Sequence, residues 1–203
     1  MACLICQSAL GLTWIQAAVA SVYQDKFLTV NRDYQQVVEK PVSVQGGVLT
    51  IKTDSDLSST LVRKDLVFHD MDASVSTALA EISKAPNVSG SGGLVFWASN
   101  NQNLYAFLVT DFGYAGVSRM VDNEIVSHPL EWKQIPAIKQ GAKIYNQLRV
   151  VTKGNRATCY VNGTQVGEFA RQEPDGAGKV GLIASGITSL TTEQAFREFL
   201  IKY

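Results

Sequence analysis

The chain has little charge, and what it has is balanced. Asp, Glu, Lys and Arg make up 18% of its 203 residues, with Lys+Arg 18 against Asp+Glu 18. Broad nucleic-acid binding needs a basic face to replace phosphate counterions, and a balanced chain argues against it. The same balance argues against a polybasic membrane-surface segment. Histidine is limited to His69 and His128, and cysteine to Cys3, Cys6 and Cys159. The single C-x-x-C at Cys3 and Cys6 has no second pair and no H-x-x-x-H to complete it, which argues against zinc. No strand-then-helix context supports a thioredoxin motif. There is no G-x-S-x-G elbow, so nothing supports a Ser-His-Asp triad. Gly90-Ser91-Gly92-Gly93 and Gly176-Ala177-Gly178-Lys179 both lead into strand-like runs, whereas phosphate cradles lead into helices. Repeats, linkers and low-complexity tracts are absent, and no convincing amphipathic helix follows the N-terminus.

Apolar residues, by contrast, are plentiful at 46%. A chain of this length reads as one domain that buries roughly 70% of its unfolded surface, enough to need no disulfide staple. No charged residue precedes Asp25, and Cys3 to Val22 is largely apolar, diluted by Gln7, Ser8, Thr13 and Gln16. Ala18-Val19-Ala20 has the small-x-small form of a cleavage site. The expectation is a signal peptide over 1–20 and a mature domain over 21–203, secreted or in the periplasm or cell envelope, with no stable transmembrane span after cleavage. No Lys or Arg stands ahead of the apolar run, which leaves a membrane anchor or an ordinary structural segment as alternatives.

From about Val42 the pattern has period two. Val48-Leu49-Thr50-Ile51-Lys52, Ser59 to Val62 and Ala73-Ser74-Val75-Ser76 alternate. So do Leu104 to Val109, Asn146 to Val151, Ala157 to Val161, Lys179 to Ile183 and Ala195 to Ile201. Thr77 to Ile82 fits helix or strand and is read as strand because it prolongs an alternating run. Turn signals recur about every ten residues, the mark of a sandwich or barrel. Asn162-Gly163 supplies the positive φ angles of a type I′ hairpin. Lys153-Gly154-Asn155 and Asp122-Asn123-Glu124 read as further reversals. Cys159 shares a face with Ala157 and Val161 and reads as a small buried hydrophobe. The chain is therefore all-β.

Several runs together resemble a known superfamily. They are Val67-Phe68-His69-Asp70-Met71-Asp72-Ala73, Gly92-Gly93-Leu94-Val95-Phe96-Trp97-Ala98-Ser99, Asn103-Leu104-Tyr105-Ala106-Phe107, Asn146-Gln147-Leu148-Arg149-Val150, Tyr160-Val161-Asn162-Gly163 and Gly178-Lys179-Val180-Gly181-Leu182. Over residues 25 to 203 the chain resembles the concanavalin A-like lectin/glucanase superfamily, and within it the 3-keto-disaccharide hydrolase-type domain. The resemblance implies a jelly-roll β-sandwich of two antiparallel sheets, one curved, with ligands on the concave sheet or its rim. It also implies that a structural calcium ion is common, with Asp25 and Glu198 near the chain ends as candidate ligands. Fold alone assigns no function in so varied a group.

The chemistry-bearing residues point to binding before catalysis. The E-x-D-x-E strand of classical retaining hydrolases is missing, and with it the close carboxylate pair such chemistry needs. Asp70 and Asp72 share a strand face, but they read best as a solvated strand end. His69 reads as a surface partner of Asp70, and His128, ahead of Pro129, as a loop residue on a rim. Aromatic side chains with amides and arginine nearby suit the apolar faces and hydroxyls of sugars. Trp97, Tyr105 and Trp132 are the stacking candidates, with Asn101, Arg119 and Asn146 as hydrogen-bonding candidates. Core packing is the competing reading for Trp97 and Tyr105. Three functions follow: a lectin-like carbohydrate binder, a 3-keto-glycoside hydrolase using Asp70, Asp72, His69 or His128, or an interaction module with a flat apolar face.

Overall fold

The computed structural model describes residues 21–30, 32–37, 42–53, 58–81, 90–172, 177–186 and 191–203. Ile82, at the end of the ambiguous segment, lies outside them. Among the described residues, fifteen strands run in the order β1 (Val22–Asp25), β2 (Tyr34–Val37), β3 (Val42–Gln45), β4 (Val48–Thr53), β5 (Ser58–Phe68), β6 (Met71–Glu81), β7 (Gly90–Ala98) and β8 (Leu104–Thr110). They continue as β9 (Tyr114–Val121), β10 (Glu124–Gln134), β11 (Asn146–Lys153), β12 (Arg156–Val161), β13 (Thr164–Ala170), β14 (Gly178–Gly186) and β15 (Thr192–Lys202). Two antiparallel sheets result. Sheet A runs β13-β12-β11-β6-β15-β4-β3, with β1 also on β15, and sheet B runs β10-β9-β8-β7-β14-β5-β2. This is the all-β jelly-roll sandwich expected from the pattern. Among the described residues no helix is long and apolar enough to cross a membrane.

Local chemistry explains the hairpins. Asp122 and Asn123 (φ 52° and 68°) and Asn162 and Gly163 (φ 49° and 82°) hold the left-handed backbone of two-residue turns, whose twist matches the flanking strands. His128 departs from expectation. It sits in β10, not in a loop. β10 is an edge strand whose register on β9 shifts between Ser127 and Leu130, so Pro129 withholds no ladder bond that a central strand would need.

Burial distinguishes the sheets. In sheet A the strands alternate cleanly, as in β4, β11 and β12; apolar side chains turn inward and Asp72, Arg149 and Tyr160 turn out. β7 and β8 of sheet B are buried along their whole length. One face of β8, with Tyr105, Phe107 and Val109, belongs to the core shared with sheet A. The other face, with Leu104, Ala106 and Leu108, joins Val62, Val95 and Ile183 in a second apolar cluster outside that core. Ser21 and the C-terminal Tyr203 meet beside β5: they exchange backbone hydrogen bonds, and the Tyr203 ring packs on Phe68.

Candidate functional site

One irregularity in β7 builds the site. Across from β14, Lys179 pairs with Ala98 while Gly181 pairs with Val95, so β7 holds one residue more than its partner there. Such a bulge turns two successive side chains to the same side, and both Phe96 and Trp97 enter the core. Trp97 takes φ 48°, a left-handed conformation that costs a non-glycine residue of order 1 kcal/mol or more. The backbone of β14 comes so close that a Cβ on Gly178 would lie 2.4 Å from Trp97 Cα; only glycine fits.

Neighbours hold the indole closely. Its ring lies 5.3 Å from those of Phe96 and Tyr105 and 6.0 Å from that of Phe169, and the Arg171 guanidinium lies over it at 5.2 Å. Trp97 is 4% exposed, which leaves no open ring face for a sugar to stack on. Its Nε1–H is buried without a hydrogen-bond partner.

Trp97 also lines a cleft of about 140 Å³, together with Tyr105, Arg119, Arg171, Gln172, Asn103, Ser99, Leu104, Met120 and Val121. That is well below the ~300–1,000 Å³ of pockets that engulf drug-sized ligands, and it suits one small ligand unit and no more. Its rim is held by the turns after β7 and β9. Asn100 Oδ1 accepts the backbone N–H groups of Gln102 and Asn103, Asn103 Nδ2 donates to Asp122 Oδ1 at 3.3 Å, and Asn103 Oδ1 accepts the Asp122 N–H at 3.2 Å. The far wall comes from the segment after β13. Tyr105 Oη donates to Gln172 O (3.1 Å) and accepts Gln172 N–H (2.9 Å), and Ser127 Oγ donates to Gln172 Oε1 (2.9 Å). The wall is rich in donors: an indole N–H, two guanidinium groups and an amide.

Three of the six ligand candidates from the sequence, Trp97, Tyr105 and Arg119, therefore meet in one cleft. Asn101 lies in the adjoining turn, buried, with Oδ1 unpartnered. The other two lie elsewhere. Trp132 covers Gly116 on the outer face of sheet B, where a Cβ would come within 2.9 Å of the indole. Asn146 is a structural clamp: Oδ1 accepts Lys139 N–H and Asn162 Nδ2–H, and Nδ2 donates to Lys139 O. Arg171 and Gln172 went unnoticed in the sequence. They act through contacts some 67 residues apart in the chain, which no local pattern reveals.

The acids and histidines do not converge with them. Asp72 forms a two-pronged ion pair with Arg149 at 2.6 and 2.8 Å, which holds the guanidinium pKa up. Asp70 accepts Gly154 N–H, His69 is exposed in the turn between β5 and β6, and His128 Nδ1 meets Ser118 Oγ at 3.2 Å on sheet B. Burial pushes the Cys159 thiol far up, consistent with a packing residue. Asp25 turns inward to Tyr23, Tyr34 and the Phe27 N–H, whereas Glu198 turns outward to Ser76. The two carboxylates lie on opposite faces of sheet A and do not form a calcium site together. Among the described residues no three His, Cys, Asp or Glu side chains are grouped to hold a metal. A wider depression of about 780 Å³ beside Gln24, Lys26 and Arg32 is an exposed loop surface without a buried, unsatisfied group.

The architecture is that of the concanavalin A-like lectin/glucanase fold. The carbohydrate binding module CBM66 from Bacillus subtilis superimposes with a TM-score of 0.65 at 14% identity, covering 82% of this chain and 93% of that one. The Emp47p carbohydrate recognition domain does so at 0.63 and 12%, covering 90% and 96%. The Bacillus licheniformis beta-glucanase does so at 0.62 and 11%, covering 90% and 97%. At such identities the likeness establishes the fold alone. No family model matches the chain, and no curated protein does.

Proposed function

We propose that the chain is a secreted or envelope-associated carbohydrate-recognition domain that takes one terminal sugar residue into the Trp97 cleft. One observation supports this above the rest: Trp97 is held in a strained backbone conformation with its indole N–H buried and unpartnered at the wall of a donor-rich cleft. An unsatisfied buried donor costs about 1–3 kcal/mol, and a ligand oxygen arriving there recovers that cost. Sugar hydroxyl and ring oxygens are such acceptors. Recognition would therefore be by hydrogen bonds to the edge of a sugar, not by ring stacking. The solved structures of like fold include a carbohydrate binding module and a carbohydrate recognition domain, in keeping with this reading.

Microcalorimetric titration against a panel of mono- and oligosaccharides tests it. The chain should bind a subset saturably, and W97F, which keeps a ring but removes the donor, should bind about tenfold more weakly. Binding that is equal in W97F, or absent across the panel, would refute the reading. A 3-keto-disaccharide hydrolase remains the finer alternative from the resemblance, and it needs a base or metal ligands in one cleft. Asp70, Asp72, His69 and His128 each have separate surroundings, so binding is preferred to turnover.

A further inference from the structure

Arg119 and Arg171 reach the cleft from opposite sheets. Arg119 stands two residues beyond the core residue Val117 in β9 and pairs with Tyr105 of β8, so it shares the inner face of sheet B with that ring. Arg171 follows the last residue of β13 at the edge of sheet A, and its guanidinium lies over the Trp97 ring. Tyr105 joins the two, because its hydroxyl is hydrogen-bonded to the backbone of Gln172, the neighbour of Arg171. Both arginines are half-buried.

Two cations thus line one cleft of about 140 Å³, and no Asp or Glu is among the described residues that line it with them. The chain as a whole is balanced, with Lys+Arg 18 against Asp+Glu 18, so the excess is local. Asp122, in the turn at the rim, has Oδ1 engaged by Asn103 Nδ2 at 3.3 Å. Partial burial takes a charge out of water, a cost that a ligand of opposite charge offsets. Each guanidinium has a further interaction within the chain, and its several N–H donors can serve a neighbour and a ligand oxygen together. Flat guanidinium forks match the paired oxygens of an oxyanion, and such charge-assisted hydrogen bonds are stronger than those to a hydroxyl.

We propose that the sugar taken by the Trp97 cleft is an acidic one, whose oxyanion, a ring carboxylate or a sulfate ester, engages Arg119 and Arg171. This rests on the carbohydrate-recognition reading above and names the ligand class within it.

The test compares matched ligands on the unaltered chain by microcalorimetric titration. Glucuronic, galacturonic and mannuronic acids are set against their methyl esters and their neutral parents, with glucose 6-sulfate and galactose 6-sulfate as the second acidic arm. At least one acid should bind about tenfold or more tighter than its uncharged counterparts. Preference for the uronates assigns the carboxylate, and preference for the sulfate esters assigns the sulfate. R119Q and R171Q should each remove most of that preference and leave the weak binding of the methyl esters as it was. Cys159, buried in the core, reports folding of the variants by staying unlabelled with maleimide. Should R171Q unfold, R119Q decides, and the comparison of acid with ester needs no variant at all. Acids and neutral sugars bound equally, with W97F weakening both, would overturn this inference and leave the recognition reading standing. An acid preference unchanged in R119Q and R171Q would also overturn it, by placing the oxyanion elsewhere on the surface. If no sugar of either kind binds, both readings fall together.

Discussion

Arg171 lies over the indole of Trp97, its guanidinium carbon 5.2 Å from the ring centroid. This contact joins the end of β13, on the edge of sheet A, to the bulge of β7 in sheet B, and it forms one wall of the cleft. A cation over an aromatic face is worth about 0.5–2 kcal/mol. R171A is expected to destabilise the fold by that amount and to open Trp97 to solvent. Acrylamide quenching in a W14F/W132F background, where Trp97 is the one tryptophan left, checks it: quenching should rise in R171A, and unchanged quenching would show that other groups bury the ring.

Gly178 is the second support of the bulge. A Cβ there would lie 2.4 Å from Trp97 Cα and 2.7 Å from Trp97 C, against backbone that cannot rotate away. G178A should therefore cost about 1–3 kcal/mol and weaken sugar binding as Trp97 shifts. Denaturant melts and the same calorimetric titration read the two effects. A tolerated G178A with intact binding would mean that the bulge is not what positions the indole.

Asn146 is expected to matter for stability and not for ligand binding. It is 4% exposed and engages Lys139 and Asn162 through both side-chain atoms. N146A leaves Lys139's backbone groups unpaired and should cost about 1–3 kcal/mol. Sugar affinity per folded molecule should stay as in the parent chain. A selective loss of affinity would restore Asn146 as a binding residue.

The alkaline limit of stability should follow the tyrosines around Arg63. That guanidinium, 3% exposed, lies over the rings of Tyr23 and Tyr34 at 4.6 and 5.3 Å and pairs with Asp65 at 2.7 Å. Burial, then the neighbouring Asp25 carboxylate, raises the hydroxyl pKa of both Tyr34 and Tyr23. A raised pKa in the folded state means that the unfolded chain loses its proton first. The stability gained is full below pH ~10, the ordinary tyrosine range, and is lost as pH rises beyond it. Urea midpoints should fall above that pH, and less steeply in Y34F. Parallel slopes for the two proteins would contradict this assignment.

Much of the fold was legible in the sequence because its signals are local. Leu148-Arg149-Val150 alternates as β11 does, and Asn162-Gly163 and Asp122-Asn123 adopt the turn geometry their residue types favour. The segment Thr77 to Glu81 is strand, as its alternation suggested. The site was less legible because it depends on register between distant strands. Simple alternation puts Phe96 and Trp97 on opposite faces; the bulge across from Gly178, some 80 residues on, puts them on the same one. Tyr105 likewise reads equally as binder or core from its neighbours. In the structure its ring lies in the core and its hydroxyl is hydrogen-bonded to the Gln172 backbone. His128 misled because proline usually marks a loop, and only the edge position of β10 shows why a strand tolerates it.

The most direct test of the central claim uses the indole protons. The chain has three tryptophans, Trp14, Trp97 and Trp132, so a ¹⁵N-labelled sample shows at most three indole N–H signals, and W97F and W132F assign two of them. Titration with a binding sugar should move the Trp97 signal and slow its exchange with water, as an unpartnered N–H gains an acceptor. If the sugar binds and the Trp97 signal stays still, or only that of Trp132 moves, the cleft is not the recognition site.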